Sequence, residues 1–135
     1  MEATPIMPLA LSTQQAAARL GVSVHAIRYY ERLGLVRVPR DARGHRVYDD
    51  AAIRRLTFVN RMRASGMGMA QLRRYIDLVE QGPATRPERL AVMLQHRETI
   101  RRQVAEFQAA LEVTEHKISA YGGSLGEPRD EKETQ

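Results

Sequence analysis

Two short stretches of helical hydrophobic spacing, separated by a tight turn, begin the patterned part of the chain. The first stretch begins with residues 12–15, Ser-Thr-Gln-Gln, which have the spacing of a capping box with Ser12 as the N-cap. This stretch ends at Gly21. Ser23 caps the second stretch, which stops at Gly34. The pattern therefore predicts a helix-turn-helix over about 13–32.

The second predicted helix has two different faces. Ile27 and Tyr30 lie one turn apart and are expected to pack onto the first helix. Another face of the same helix carries a stripe of polar, cationic and aromatic side chains at helical spacing. The residues of this stripe are His25, Arg28, Tyr29 and Arg32. Most stripes of this kind are only solvated, but directly after a helix-turn-helix turn we expect this one to contact DNA.

A small β-hairpin, or wing, is predicted over about 36–48. A short extended run follows Gly34, a polar turn covers 40–45, and a second short strand occupies 46–48. The wing carries Arg40, Arg43 and Arg46. A loop rich in Arg beside a recognition helix can bind the DNA backbone or minor groove, and the alternative is a solubilising loop.

Two more helices are predicted after the wing. Asp49 or Asp50 is expected to cap the third, which ends at Gly66, and the fourth spans about 69–81. Their apolar positions are expected to face one core, and these positions are Ile53, Leu56, Val59, Leu72, Ile76 and Val79. The predicted DNA-binding domain thus covers 10–80, after a disordered N-terminus at 1–9.

The clearest periodicity lies in the last predicted helix, about 87–121, within a dimerisation segment at 84–121. Apolar residues recur there in an a/d heptad pattern, from which only Arg97 and Thr114 depart. Such a helix is about 50 Å long, more than the preceding domain can cover, so a self-associated coiled coil is expected. The predicted dimerisation residues are Leu90, Met93, Ile100, Val104, Phe107, Leu111, Ile118 and Tyr121. The tail at 122–135 is predicted to be disordered.

The charge distribution suits a polyanionic partner. The net charge is +5, and residues 12–63 hold eleven Arg against four acidic residues. Cysteine is absent, which excludes disulfides and thiolate metal sites within the chain. The chain has no apolar run of the roughly 18 residues that a membrane span needs and no signal pattern, so a cytoplasmic protein is expected. No nucleophile, metal-ligand set or phosphate loop stands out, which favours a non-enzyme without cofactor or metal.

Residues 24–36, Val-His-Ala-Ile-Arg-Tyr-Tyr-Glu-Arg-Leu-Gly-Leu-Val, resemble the recognition segment of the MerR family of transcription regulators. Residues 43–48, Arg-Gly-His-Arg-Val-Tyr, and the Gly66-Met67 junction follow in the family's order, and the long helix comes last. The resemblance covers about 10–80 and extends to the long helix. Four elements in register are more specific than a helix-turn-helix alone.

The resemblance implies a homodimer with antiparallel long helices. It also implies promoters whose −35 and −10 elements lie too far apart, and a DNA distortion that realigns them for RNA polymerase. By the same resemblance, Arg28 and Tyr29 would contact the major groove or its flanking phosphates, and Arg43, Arg46 and Tyr48 would hold the wing on DNA. The full predicted DNA-binding set is Thr13, Ser23, His25, Arg28, Tyr29, Arg32, Arg40, Arg43, Gly44, His45, Arg46 and Tyr48.

The predicted fold is mainly α, with a winged helix-turn-helix domain followed by a long coiled-coil dimerisation helix. The chain is most similar to the short aldehyde- or stress-responsive branch of the family, but it lacks that branch's thiol. His96 and His116 are 20 residues apart on one helix, so a two-histidine metal site across a dimer is the less favoured alternative. Two other functions stay open: a MerR-like protein-interaction module and an architectural DNA-binding accessory protein.

Overall fold

The computed structural model describes residues 7–123, and its helices follow the order that the sequence predicts. The helices are α1 (Thr13–Leu20), α2 (Val24–Arg32), α3 (Asp50–Ala64), α4 (Met69–Glu80) and α5 (Arg86–Ala120), with a 3-10 turn at Pro83–Thr85 before α5. The predicted mainly α fold class is therefore confirmed. Residues 7–92 form one compact unit, and residues 93–123 form a second. Most of the predicted disordered segments, at 1–6 and 124–135, lies outside the described residues.

Side-chain caps determine where the first two helices begin. Ser12 Oγ accepts from the Gln15 N–H at 3.2 Å, and the Gln15 side chain accepts from the Ser12 N–H at 2.9 Å, which confirms the capping box. Ser23 Oγ accepts from the Ala26 N–H at 3.0 Å. Gly21, between the helices, has a φ of +68°, a left-handed conformation that glycine adopts without strain. Local signals thus determine the turn between α1 and α2.

One apolar core joins α1, α2, α3 and the end of the wing. Ile27 is fully buried and Tyr30 packs against the same cluster, as the two-faced pattern of α2 predicts. The three apolar positions of α3 predicted to face inward are also buried, and these are Ile53, Leu56 and Val59. Burial of one such aliphatic side chain stabilises a fold by about 1.5–3 kcal/mol, so this cluster supports the elements around it.

The segment before α1 is anchored, which corrects the prediction of disorder as far as Leu9. The Leu9 N–H donates to Asp50 Oδ2 at 3.1 Å, and Leu11 exchanges two backbone hydrogen bonds with Tyr48 at 3.1 and 2.8 Å. Both leucines also pack against the core cluster. Proline content and missing periodicity gave no sign of this anchoring, because the bonding partners lie about forty residues away.

Bridges take the place of the two predicted strands in the wing. Arg40 and Arg46 form an isolated antiparallel bridge, and the Val47 N–H donates to the Pro39 carbonyl at 2.8 Å. Pro39 has no N–H to donate, and the Asp41 side chain binds the N–H groups of the turn. The prediction of regular strands is therefore wrong for this part of the chain, because the ladder is interrupted after a single pair.

The inward face of α4 differs from the prediction at one position. Leu72 and Ile76 are buried as expected, but Leu78 is buried whereas Val79 is only half-buried. After α4 the chain turns back, and the Thr85 hydroxyl donates to the Leu78 carbonyl. The periodicity of a helix does not show which of its side chains the next segment of the chain will bury.

Candidate nucleic-acid interface

The predicted DNA-reading stripe lies on the solvent-facing side of α2. Its four side chains are exposed: His25, Arg28, Tyr29 and Arg32. Burial of Ile27 and partial burial of Tyr30 hold the other side of the helix on the core. Guanidinium groups presented in this way can form paired hydrogen bonds with guanine or phosphate. The structure therefore places the stripe where contact with a groove is sterically open.

The tip of the wing is organised by one carboxylate. Asp41 Oδ1 accepts from the N–H groups of Arg43 and His45, both at 2.9 Å, and Gly44 between them has a φ of +81°. The hydrogen bond from the His45 backbone is the largest of the effects that lower the pKa of Asp41, and the bond from the Arg43 backbone acts in the same direction. The turn leaves the side chains of Arg43 and His45 exposed.

Arg40 stands at the start of this turn and is exposed. Its Nη1 donates to the Gly44 carbonyl at 3.1 Å, so the guanidinium lies across the base of the loop. The predicted wing residues Arg40, Arg43, Gly44 and His45 are thus brought together on one small loop. This loop presents cationic side chains and one ordered carboxylate.

Arg46 is half-buried and has a carboxylate partner. Its Nε donates to Glu31 Oε1 at 2.6 Å, and the side chains of Arg46 and Glu31 are 30% and 19% exposed. Glu31 belongs to α2 and was absent from the predicted site. The sequence signal for this contact was weak, since nothing in local spacing links a helix residue to one fifteen positions later.

Tyr48 is a core residue, which corrects its assignment to the DNA surface. The side chain is 0% exposed, and its hydroxyl lies 3.5 Å from Thr13 Oγ1. Two other predicted contacts also have structural partners: Thr13 is half-buried against Tyr48, and the Ser23 hydroxyl caps α2. The DNA contact of Tyr48 was predicted from the family resemblance, but Tyr48 pairs through its backbone with Leu11 and its ring lies in the core.

The seam predicted for dimerisation lies along α5 and is largely uncovered. Leu90, Val104, Phe107, Leu111, Ile118 and Tyr121 are exposed, and Met93 and Ile100 are half-buried. Phe107 alone is 75% exposed. A run of large apolar side chains exposed along one helix is a feature of interaction surfaces.

Two family models match the chain. The model of the MerR helix-turn-helix family of regulatory proteins matches residues 11–78, and the MerR DNA-binding model matches residues 53–113. This chain belongs to the MerR family. It is a DNA-binding transcription regulator, as the stripe and the wing loop predict.

Relatives and solved structures agree with this assignment. An HTH-type transcriptional regulator from Haemophilus influenzae is 28% identical over 82% of each chain. Heavy metal-dependent transcription regulator 1 of Rhizobium meliloti is 34% identical over 73% of this chain and 68% of its own. The structure of HiNmlR, a MerR family regulator lacking the sensor domain and bound to promoter DNA, has a TM-score of 0.78 at 27% identity, over 84% of this chain and 86% of that one. A MerR family regulator from Listeria monocytogenes has a TM-score of 0.74 at 30% identity, over 85% and 88% of the two chains.

This MerR regulator has exposed arginines outside the predicted set. They lie on α3 and α4, within the match to the MerR DNA-binding model, and are Arg54, Arg61, Arg63, Arg73 and Arg74. Arg61 also lines a polar cleft of about 320 Å³ between α1 and α3, together with Arg19 and Asn60. The excess of Arg over 12–63 already included three of these residues, but the predicted DNA-binding set contained no residue of α3 or α4.

Within residues 7–123, no three His, Cys, Asp or Glu side chains come close enough together to hold a metal ion. His96 is buried and His116 is exposed, so the two histidines of the alternative metal site stand in different environments. None of the helices in the described part of the chain is both long and apolar enough to cross a membrane.

Proposed function

We propose that this MerR-family protein acts as a homodimer on a promoter operator of two inverted half-sites, which it distorts to control initiation by RNA polymerase. The observation that carries the proposal is that one chain has both an exposed cationic stripe with a wing loop and an exposed apolar seam. The first surface suits DNA, and the second suits another copy of the same helix. Binding takes place in the cytoplasm, on DNA of the nucleoid, and involves no catalysed reaction.

The DNA contacts follow from chemistry and exposure. Arg28, Tyr29 and Arg32 of α2 read base edges or flanking phosphates, and His25 begins the same stripe. Arg43 and His45, at the tip of the wing, bind the backbone. HiNmlR, which has a similar fold, was solved on promoter DNA, and this supports the assignment.

The dimer follows from the seam on α5. A 35-residue helix is about 50 Å long, and pairing two copies removes apolar side chains such as Phe107 and Leu111 from water. A dimer also supplies two recognition helices, which bind half-sites about 34 Å apart or at multiples of that spacing. We propose antiparallel pairing of the two helices, as in the family that the chain resembles.

In vitro selection tests the DNA-binding part of this proposal. The purified protein is mixed with a pool of random-sequence duplexes, and bound duplexes are amplified and sequenced over several rounds. We expect enrichment of an inverted repeat whose half-sites are separated by about one helical turn or a multiple. Enrichment of no sequence would contradict sequence-specific DNA binding and favour the protein-interaction module.

Transcription in vitro tests the regulatory part. The selected duplex is placed between −35 and −10 elements separated by a normal spacer and by a lengthened spacer. We expect the protein to activate RNA polymerase on the lengthened spacer and to lack this effect when the operator is scrambled. A clear footprint with unchanged transcription on both templates would favour the architectural accessory protein.

A further inference from the structure

The contact between Glu31 and Arg46 joins the recognition helix to the wing. Glu31 stands in the last turn of α2, four residues after the buried Ile27 and off the exposed stripe. Arg46 stands on the returning arm of the wing, opposite Arg40 in the isolated bridge. The 2.6 Å hydrogen bond between them therefore connects two elements that both present side chains to DNA. Because both side chains are mostly shielded from water, their attraction is less screened than at an open surface.

Glu31 differs from the other acidic residues of the cationic half of the chain, 12–63. Asp41, Asp49 and Asp50 each accept hydrogen bonds from backbone N–H groups and so order a turn, a helix start or the N-terminal segment. Glu31 instead binds a side chain of another element. A carboxylate near a DNA-binding surface repels phosphates, so its presence there calls for a positional reason.

We propose that Glu31 is a positioning residue that sets the distance between the wing and α2, and that Arg46 acts through Glu31 rather than as a phosphate ligand. The wing and the recognition helix must reach their parts of the duplex at the same time, so their spacing selects which duplex fits. The inference rests on the proposed DNA contacts of α2 and the wing. In this proposal Glu31 and Arg46 determine which duplex is bound, whereas exposed residues such as Arg43 provide the non-specific attraction to phosphates.

Electrostatic repulsion and positioning predict opposite changes in affinity for the selected duplex when the Glu31 carboxylate is removed. If Glu31 only repels phosphates, Glu31→Ala tightens binding to every duplex. If Glu31 positions the wing, Glu31→Ala weakens binding to the selected duplex by about tenfold or more and leaves binding to a scrambled duplex unchanged or tighter. The ratio of the two dissociation constants is therefore the quantity to measure, on the duplex enriched by the wild-type protein and on a scrambled duplex of equal composition.

The salt dependence separates the roles of the two wing arginines. Arg43→Ala is expected to reduce the slope of log affinity against log salt by about one, as loss of a phosphate contact does. Arg46→Ala is expected to lower the specificity ratio while its slope stays close to that of the wild type. A slope for Arg46→Ala that falls as far as that for Arg43→Ala would make Arg46 a phosphate ligand and overturn the proposal.

Rescue and control variants test whether a lowered specificity ratio in Glu31→Ala comes from loss of this contact or from a general loss of structure. The double variant Glu31→Arg with Arg46→Glu restores an ion pair with its ends exchanged, and we expect it to recover part of the specificity ratio that Glu31→Ala loses. Glu31→Gln keeps the size of the side chain and one acceptor oxygen, and is expected to fall between wild type and Glu31→Ala. Glu98→Gln changes the exposed Arg101–Glu98 pair, which belongs to α5 and to neither α2 nor the wing, and should keep the wild-type ratio.

Each outcome decides the matter. A wild-type specificity ratio in folded Glu31→Ala, or in Glu31→Gln if the alanine variant does not fold, overturns the positioning role. Failure of the wild-type protein to enrich any duplex overturns the proposed function itself, and is seen before any variant is made. A lowered ratio that the exchanged pair does not improve at all also counts against positioning by this contact.

Discussion

The guanidinium of Arg32 lies 5.8 Å from the centroid of the Tyr29 ring, one turn away on the exposed side of α2. The Tyr29 ring is in turn 6.1 Å from that of Tyr30, which packs against the core. Cation–π and aromatic contacts of this kind contribute about 0.5–1.5 kcal/mol each. Tyr30 therefore helps to orient Tyr29, and Tyr29 helps to orient Arg32. A substitution at either Tyr29 or Arg32 would disturb the other, so Arg28 is the stripe residue that is best tested alone.

Arg28→Ala is expected to weaken binding to the selected duplex by about 1–3 kcal/mol without changing the melting temperature of the protein. Its side chain is exposed, so its removal leaves no cavity in the core. Fluorescence anisotropy and thermal melting measure the two effects. Arg101→Ala, an exposed arginine on α5, is the matched control and should bind as the wild type does. Unchanged affinity in folded Arg28→Ala would remove Arg28 from the interface.

Tyr48 is expected to act through stability and not through DNA contact. Tyr48→Ala removes a fully buried ring and should destabilise the fold by about 3–5 kcal/mol. Tyr48→Phe keeps the ring and loses only the hydroxyl near Thr13, so its DNA affinity should match the wild type. Chemical denaturation and anisotropy on the selected duplex measure both variants. A folded Tyr48→Phe that loses affinity would return the hydroxyl to the DNA surface.

The wing tip is expected to loosen in acid. The pKa of Asp41 is lowered below its ordinary value of 3.8, chiefly because the ionised carboxylate accepts the hydrogen bond of the His45 N–H. A lowered pKa means that this stabilisation is complete above the ordinary value and is lost as pH falls through the lowered one. NMR should show the Asp41 carboxyl titrating below 3.8, with the His45 amide shift following the same curve.

Variants at Asp41 test the same loop at neutral pH. Asp41→Ala removes the acceptor for two backbone N–H groups, so hydrogen exchange at Arg43 and His45 should become faster. Asp41→Asn keeps an oxygen in the same place and should show a smaller change. Equal exchange in the wild type and in Asp41→Ala would mean that the carboxylate does not order the loop.

Leu111→Asp is expected to abolish dimerisation through α5. The side chain is 57% exposed in one chain, and an aspartate there would carry an unpaired charge into the seam between Phe107 and Ile118. Sedimentation should show a monomer, and affinity for the full inverted repeat should fall towards that for a half-site. Val113→Asp is the matched control, because Val113 is 63% exposed on the same helix but off the seam. A dimeric Leu111→Asp with wild-type affinity would assign the seam to another partner.

The features that the sequence alone predicted correctly depend on residues close together in the chain. The capping box at Ser12, the turn at Gly21 and the inward positions of α3 follow from spacings of three or four residues. The MerR family assignment also depended on ordered local motifs and was confirmed by the match over 11–78. Helix caps and amphipathic periodicity act within one or two turns, so a single sequence displays them directly.

Contacts between distant residues were decided only by the tertiary structure. Leu11 pairs with Tyr48, and the pairing anchors a segment predicted to be disordered and buries a ring predicted to face DNA. Glu31 of α2 and Arg46 of the wing form a hydrogen bond, so an arginine predicted to hold the wing on DNA already has a partner on the recognition helix. Alternation and charge describe each segment by itself. Which face is covered, and which charge is already paired, depends on the element that packs beside it in space.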